Sequence, residues 1–210
     1  MVDCAVLTAI GITEDYRREV LGVSVALSEA EVHWRDFFKD LQARGLHGVK
    51  LMTSDAHAGL QAGRKAVFPS VPWQRCQFHL QQNAQAYVPR KDMKKKVASH
   101  IKSIFNAPDL NEAERLLSKT VAFYEKDAPK LAAWMAENLT QGFTVFQFPE
   151  AHRQRLRTSN ICERLNKEIK RRTRIAALFP NEASCLRLVT AVVLEISEEW
   201  LTGKAYLTKE

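Results

Sequence analysis

The sequence predicts an α/β protein in which a mixed sheet, flanked by helices, carries an all-helical insertion. Two observations support this class. Apolar, β-rich runs alternate with amphipathic helical segments over residues 1–79, and residues 80–139 then keep a helical pattern without a clear strand. Apolar residues make up 46% and charged residues 26% of the 210 positions, which is typical of a globular protein and excludes a disordered one.

Four apolar runs predict the strands. Cys4–Ile12 is almost continuously apolar, as expected of a strand buried on both faces. Arg18–Ala26 follows it across a polar turn, so the two are expected to form a hairpin. Val49–Ser54 is a third, short strand that ends at Asp55, and Trp73–Phe78 is the fourth.

The first predicted helix is marked at both ends. Ser28 and Glu31 have the spacing of a capping box, and Gly45 is a natural stop. Its expected buried face consists of Trp34, Phe37, Phe38 and Leu41. A small helix is expected after Asp55 and through Ala66.

Two apolar stripes at helical spacing run through the insertion. The first consists of Leu110, Ala113, Leu117, Val121 and Tyr124, and the second of Leu131, Trp134, Met135 and Leu139. Asp109 and Pro129 mark boundaries of the helices. We interpret both stripes as core and not as a cofactor site.

The last third of the chain predicts a basic loop and two helices. A short apolar piece, Thr144–Phe148, comes before Pro149 and the loop. One helix is expected to start near residues 158–160. Asn181 is expected to cap a long last helix that continues through Trp200.

The sequence lacks the patterns that are typical of several protein classes. No apolar stretch approaches the roughly 20 residues that span a bilayer, and no basic leader precedes a cleavage site. The four cysteines form no CxxC pair, which favours reduced thiols. The motifs GxxxxGKS/T, GxSxG and HExxH are absent from the sequence. We therefore expect a cytoplasmic protein that does not bind membranes.

Positive charge is concentrated in one window. The net charge is +7, and residues 150–174 hold nine Lys or Arg residues against three Glu residues. Such a concentration indicates a polyanionic partner, most often nucleic acid. A solvated helix face is the alternative explanation.

Two carboxylates are candidate metal ligands. Asp55 follows a predicted strand, where functional groups gather in open α/β sheets, although an Asp there is also a common turn former. Glu163 would share a helix face with Asn166, Lys167 and Lys170, which suits a metal beside DNA phosphates. A surface salt bridge from Glu163 to Lys167 is the alternative.

Cys76-Gln-Phe-His79 is a CxxH pattern. One Cys and one His supply only half of a tetrahedral zinc site. From spacing alone, structural packing is the better explanation for this pair.

Together, these residues resemble the Mutator-type transposases of bacterial insertion sequences, which use a DDE (Asp-Asp-Glu) site. Four segments carry the resemblance: Ser54–Leu60 (SDAHAGL), Arg75–His79 (RCQFH), Arg157–Arg174 (RTSNICERLNKEIKRRTR) and Phe179–Ser184 (FPNEAS). The resemblance implies a ribonuclease H-like fold, with residues 1–79 and 150–210 as the catalytic core and residues 80–149 as the helical insertion. It also implies DNA cleavage and strand transfer in DNA-mediated transposition, with two Mg²⁺ or Mn²⁺ ions bound.

The resemblance assigns roles to particular residues. Asp55 matches the second acid of the family's triad and Glu163 the terminal acid, so both are the implied catalytic and metal-binding residues. Cys76 and His79 match a CxxH thought to support the site. The implied DNA-binding residues are Arg157, Arg164, Asn166, Lys167, Lys170, Arg171, Arg172 and Arg174. The implied partners are transposon ends and target DNA, and a homo-oligomer is compatible with the family.

The family's first acid, on the first strand of its sheet, has no match. Asp3 and Asp15 are the nearest acids, and neither fits a motif. We therefore expect a chain that is truncated at its N-terminus, lacks the first strand and is inactive alone. The alternative is a non-catalytic DNA-binding remnant or regulator of a full-length transposase. A housekeeping ribonuclease H-like nuclease is disfavoured by the long signature from Arg157 to Ser184.

Overall fold

The structure, a computed structural model, describes residues 4–176 and 179–208. They fall into two compact units. The first lies within Met1–Lys50, Ala56–Val71 and Ser159–Glu210, and the second comprises Leu51–Asp55 and Pro72–Thr158. The predicted α/β class is confirmed. The division at residues 80 and 149 stays a prediction.

The described residues contain four strands and nine α-helices. The strands are β1 (Ala5–Ile12), β2 (Arg18–Ala26), β3 (Met52–Ser54) and β4 (Trp73–Arg75). The helices are α1 (Glu31–Ala43), α2 (Ala58–Val67), α3 (Gln77–Ala84), α4 (Lys94–Phe105), α5 (Leu110–Tyr124), α6 (Pro129–Asn138), α7 (Glu150–Leu156), α8 (Asn160–Ala176) and α9 (Glu182–Thr202). None of these helices is both long and apolar enough to cross a lipid bilayer.

The first unit contains the predicted hairpin. Strands β1 and β2 pair antiparallel, with an irregularity between Ala9 and Ile10. The expectation that the first strand is buried on both faces is wrong, because Leu7 is its only fully buried residue. The sheet described in this unit has two strands, so each strand has an unpaired edge and most of its side chains stay half-buried.

Helix α1 has the predicted buried aromatic face, but not the predicted cap. Trp34, Phe37, Phe38 and Leu41 are its buried residues. The helix begins at Glu31 without a side-chain cap, because the Ser28 hydroxyl accepts a hydrogen bond from the Ala30 N–H, which lies before the helix. Gly45, at φ 100°, ends the helix as predicted.

Helix α2 contacts α1 through two glycines one turn apart. A Cβ atom at Gly59 would overlap the Glu29 carbonyl oxygen. A Cβ atom at Gly63 would lie 2.8 Å from the Trp34 Cβ. Both positions therefore need glycine for this close helix packing.

Helices α8 and α9 form the second hydrophobic cluster of the first unit. The buried members are Leu165, Ile169, Val189, Val192 and Val193, packed against half-buried residues of β1 and β2. The Asn181 side chain accepts a hydrogen bond from the Ser184 N–H, so the predicted cap of the last helix is confirmed.

The second unit contains a short parallel sheet. Strands β3 and β4 pair from Met52 with Trp73 to Ser54 with Arg75. Both are shorter than the predicted Val49–Ser54 and Trp73–Phe78. Pro72 has no N–H with which to extend the ladder at one end, and helix α3 begins at Gln77 on the other.

The helical core of the second unit includes most residues of the predicted stripes, together with residues of α3 and α4. Leu131, Met135 and Leu139 are fully buried, and Ala113, Leu117 and Tyr124 are buried beside them. Leu110, at the first turn of α5, is the exception, since 38% of its surface is exposed.

The expected basic loop after Pro149 is wrong, because Glu150–Leu156 forms helix α7. The Arg153 guanidinium donates hydrogen bonds to the carbonyl oxygens of Phe148, at 2.8 Å, and Pro108, at 2.6 Å. A charged group thus fixes this helix where the composition alone predicted a loop.

Candidate functional site

Asp55 and Cys76 directly follow the two parallel strands of the second unit. The register pairs Ser54 with Arg75, and the Cys76 N–H donates a hydrogen bond to the Ser54 carbonyl oxygen at 2.7 Å. The two residues therefore leave the same edge of the sheet, where functional groups gather in parallel sheets. Asp55 is exposed and Cys76 is fully buried, so the carboxylate is the group that faces solvent.

Arg75 supplies a fixed cation near Asp55. Its guanidinium donates hydrogen bonds to the side chains of Asn138, at 3.2 Å, and Gln141, at 3.1 Å. Burial lowers the pKa of Arg75, and the Asp55 carboxylate acts in the opposite direction. Arg75 thus places a positive charge near the Asp55 carboxylate.

Cys76 and His79 lie one turn apart at the start of α3. Cys76 is the N-cap residue, and the His79 ring meets the Phe78 ring edge-on at 5.5 Å between centroids. A thiol and an imidazole at this spacing share one helix face. The second unit thus contains Asp55 and the CxxH pair, whereas Glu163 belongs to the first unit.

Glu163 lies in the first turn of α8. The Ser159 hydroxyl donates a hydrogen bond to Glu163 Oε1 at 3.4 Å, and the Glu163 N–H donates to the Ser159 carbonyl oxygen at 3.1 Å. The partial positive charge of a helix N-terminus favours a carboxylate here. Leu165 and Ile169, which are 1% and 3% exposed, fix the helix from its buried side.

The exposed face of α8 carries cations that pair with Glu168 and cations that form no ion pair with a described residue. Arg171 donates to Glu168 Oε2 at 2.9 Å, and Arg172 donates to Glu168 Oε1 at 3.1 Å. These hydrogen bonds, Arg171 first, lower the pKa of Glu168 to about 2. The remaining cations form no ion pair with any described residue: Arg164, Lys167, Lys170 and Arg174. The alternative of a Glu163–Lys167 salt bridge is therefore wrong.

Two predicted DNA-binding residues have structural partners within their own units. Arg157 donates a hydrogen bond to the Asn106 side chain at 2.6 Å, and burial lowers its pKa. Asn166 Oδ1 accepts a hydrogen bond from the Thr8 hydroxyl at 3.2 Å. The interaction of Asn166 joins α8 to strand β1.

Asp3 and Asp15 are the acids nearest to the expected first acid of the triad, and the structure describes only Asp15. Asp3 lies outside the described residues. Asp15 lies in the hairpin turn, 3.2 Å from Arg17, and the Thr13 hydroxyl lowers its pKa. The interactions of Asp15 are thus local to the turn.

Sequence reasoning missed Ser159 and Arg75. Ser159 is of a residue type that commonly precedes a helix, and Arg75 stands next to Cys76. The residue type of Ser159 and the position of Arg75 are the signals from which a role for each could have been predicted. The hydrogen-bond partners of Arg75 are more than 60 residues away along the chain, so no local pattern reveals them.

The donor chemistry fits the metals that the resemblance implies. Carboxylate oxygens, as in Asp55 and Glu163, suit Mg²⁺ and Mn²⁺. The thiol and imidazole of Cys76 and His79 suit softer metals such as Zn²⁺.

Comparison with known proteins supplies the family. The sequence profile described as "Transposase, Mutator family" matches residues 1–203. The chain is 57% identical over 207 residues to the transposase for insertion sequence element IS406 of Burkholderia multivorans, covering 99% of the chain and 53% of that relative. It is 39% identical over 206 residues to the transposase for ISRM5 of Rhizobium meliloti, covering 98% and 52%. It is also 39% identical over 197 residues to the transposase for IS256 in transposon Tn4001 of Staphylococcus aureus, covering 92% and 50%.

The chain thus spans about half the length of these curated relatives. The profile matches nearly all of its 210 residues. This chain belongs to the Mutator family of transposases.

Proposed function

We propose that this chain is part of a transposase that cuts and joins DNA with divalent metal ions held by Asp55 and Glu163. One observation carries the proposal most strongly. Glu163 starts a helix whose exposed face holds four cations without an ion pair among the described residues. A metal-binding acid and phosphate-binding cations on one helix suit a phosphodiester substrate.

Each residue has a defined part in the proposed reaction. When bound, a pair of Mg²⁺ or Mn²⁺ ions activates the attacking oxygen and stabilises the leaving oxygen. The carboxylates of Asp55 and Glu163 hold the ions, and Arg75 places a positive charge near Asp55. Lys167 and Lys170 hold the DNA backbone, with Arg164 and Arg174 beside them.

The proposal includes the fold and the supporting residues. We propose a ribonuclease H-like core, with residues 80–149 as its helical insertion. Cys76 and His79 support the metal site in this proposal. Transposon ends and target DNA are the proposed partners, and a homo-oligomer would bring two DNA ends together.

The triad of the family needs three acids, and this sequence matches two of them. We therefore propose that the 210-residue chain, assayed by itself, binds DNA and metal without cutting DNA. The second candidate function is DNA binding alone, as in a regulator. The cationic face of α8 favours it equally, so metal binding must separate the two functions.

Mn²⁺ binding followed by electron paramagnetic resonance tests the proposal. Glu163→Gln and Asp55→Asn should each weaken Mn²⁺ binding by at least about tenfold. Glu182→Gln is the matched control, because Glu182 is an exposed acid in the first turn of α9. Equal Mn²⁺ affinity in all four proteins would leave DNA binding alone as the function.

A plasmid-nicking assay tests the missing acid. We expect the 210-residue chain to bind supercoiled plasmid without nicking it in Mg²⁺ or Mn²⁺. Metal-dependent nicking that Asp55→Ala or Glu163→Ala abolishes would instead show that these residues suffice for cleavage. Nicking that survives both substitutions would contradict the proposed site.

A further inference from the structure

We propose that a groove between α3 and α4 holds an unpaired nucleotide of the DNA, with its base stacked on Phe78. This inference rests on the proposed function, because strand cleavage frees unpaired nucleotides. The groove lies wholly within the second unit and has a volume of about 360 Å³. That volume is within the range of about 300–1,000 Å³ seen for small-molecule sites. Its lining residues are Phe78, Gln81, Gln82, Gln85, Lys94, Lys95 and Ala98.

The lining combines three chemistries that a nucleotide needs. Phe78 is 50% exposed, so its ring is accessible at the groove. Aromatic rings of this kind act as stacking platforms for bases in single-stranded nucleic acid. Phe78 begins the groove-facing row of α3, and the glutamines follow it at helical spacing.

Gln85 provides an unused donor at the end of that row. Its Nε2 atom is buried and has no hydrogen-bond partner among the described residues. Buried donors are nearly always paired, and this atom, which has almost no accessible surface, meets a ligand acceptor only when the Gln85 side chain turns into the groove. The carbonyl oxygens and ring nitrogens of bases are such acceptors. Gln81 and Gln82 add further amides that can bond a base edge.

Lys94 and Lys95 provide the charge for a phosphate. Both are exposed residues in the first turn of α4, and neither forms an ion pair with a described acid. The segment from residue 90 to residue 96 contains five basic residues and one acid, Asp92, which lies 3.6 Å from Arg90. Charge complementarity therefore favours a nucleic-acid strand over an apolar peptide as the occupant.

Single-stranded DNA is the occupant that fits, since a base in a duplex is already stacked on both faces. A base reaches Phe78 only when it is unpaired, and its phosphate can then reach the lysines. Sequence preference should be weak, because every base has a face that stacks.

Quenching of 2-aminopurine fluorescence tests the stacking. The probe is a 12-nucleotide single strand with 2-aminopurine at its centre, titrated with the full chain. We expect binding to quench the fluorophore. Phe78→Ala should abolish most of the quenching and weaken binding about 5- to 150-fold, while Phe78→Trp should retain both.

Phe123 gives a matched control. It is also 50% exposed and lies in the second unit, but the Lys96 ammonium already lies 4.3 Å from its ring centroid. Phe123→Ala should leave quenching and affinity unchanged. If Phe78→Ala quenches the fluorophore as strongly as the wild-type chain does, the inference is overturned. It is also overturned if Phe123→Ala loses as much quenching as Phe78→Ala.

Two further measurements separate the groove from the proposed function. Lys94→Ala and Lys95→Ala should each reduce the salt dependence of single-strand binding by about 0.7 in the slope of log K against log salt. Duplex binding through α8 should be unaffected by Phe78→Ala. Normal duplex binding with no effect of Phe78→Ala on single strands would refute the groove alone. Equal Mn²⁺ affinity of the wild-type chain and Glu163→Gln would refute the proposed function alone.

Discussion

At the scale of single residues, His100 connects the helical core of the second unit to pH. Its Nδ1 lies 3.1 Å from the Tyr124 hydroxyl, and its ring meets Phe123 edge-on. Burial, and then the charge of Lys96, lower the pKa of His100 below its usual value of 6.5. The unfolded chain therefore binds a proton at a pH where the folded chain does not.

The stability of the second unit should consequently fall as the pH drops below about 6.5, where an unperturbed histidine takes up its proton. We expect His100→Gln to make the free energy of unfolding less dependent on pH between 7 and 5. Urea denaturation at several pH values measures this. His47→Gln, at an exposed position, is the control and should keep the wild-type dependence. An unchanged pH dependence in His100→Gln would contradict the assignment.

At the scale of elements, helix α5 depends on a single cap. The Asp109 carboxylate, at a position that the sequence marked only as a helix boundary, accepts a hydrogen bond from the Glu112 N–H at 2.8 Å. Asp109→Ala should lower the free energy of unfolding by about 1 kcal/mol, and Asp109→Asn by less, since Asn also caps. Urea denaturation of both variants measures the difference. Equal losses would show that the charge and not the cap is what stabilises the helix.

Helix α8 gives the second prediction at this scale. Lys167 and Lys170 have no ion pair with a described residue, so they are available for phosphates. Replacing both with Ala should reduce the slope of log K against log salt for duplex DNA by about 2. Fluorescence anisotropy at several salt concentrations measures the slope.

Lys126→Ala with Lys130→Ala is the control for α8. This pair removes the same charge from exposed positions in the second unit. An equal change of slope in both double variants would mean that net charge, and not the α8 face, determines DNA binding.

At the scale of the whole molecule, each unit has a hydrophobic cluster of its own. Leu131 is fully buried in the second unit and Leu165 is 1% exposed in the first. Each Leu→Ala change should cost about 2–5 kcal/mol of stability. Hydrogen exchange read by mass spectrometry should show faster exchange in peptides of α4–α6 for Leu131→Ala and of α8 and α9 for Leu165→Ala. Faster exchange throughout the chain in both variants would contradict this assignment of the clusters.

Local patterns predicted the amphipathic parts of this fold well. The aromatic face of α1, the two stripes of the insertion and the cap at Asn181 all depend on residues a few positions apart. Local patterns failed where distant partners decide the structure. The short β3 and β4 strands depend on each other, and α7 depends on the hydrogen bonds of Arg153 to distant carbonyl groups.

The candidate site divides in the same way. The position of Asp55 after a strand and of Glu163 on a helix could be predicted from the sequence. The fixed cation at Arg75 and the pairing of Arg171 and Arg172 with Glu168 could not, because side-chain partners are chosen in three dimensions. Which cations of α8 have no ion pair with a described residue is therefore a structural result.

The division of the chain into units has a consequence for its synthesis. The chain passes between the units at residues 50/51, 55/56, 71/72 and 158/159. On the ribosome, the second unit is complete once Thr158 has emerged, while the β1–β2 hairpin still lacks the α8 and α9 side chains that cover it. The β1–β2 hairpin is synthesised before the second unit but is completed after it, when helices α8 and α9 cover its apolar side chains.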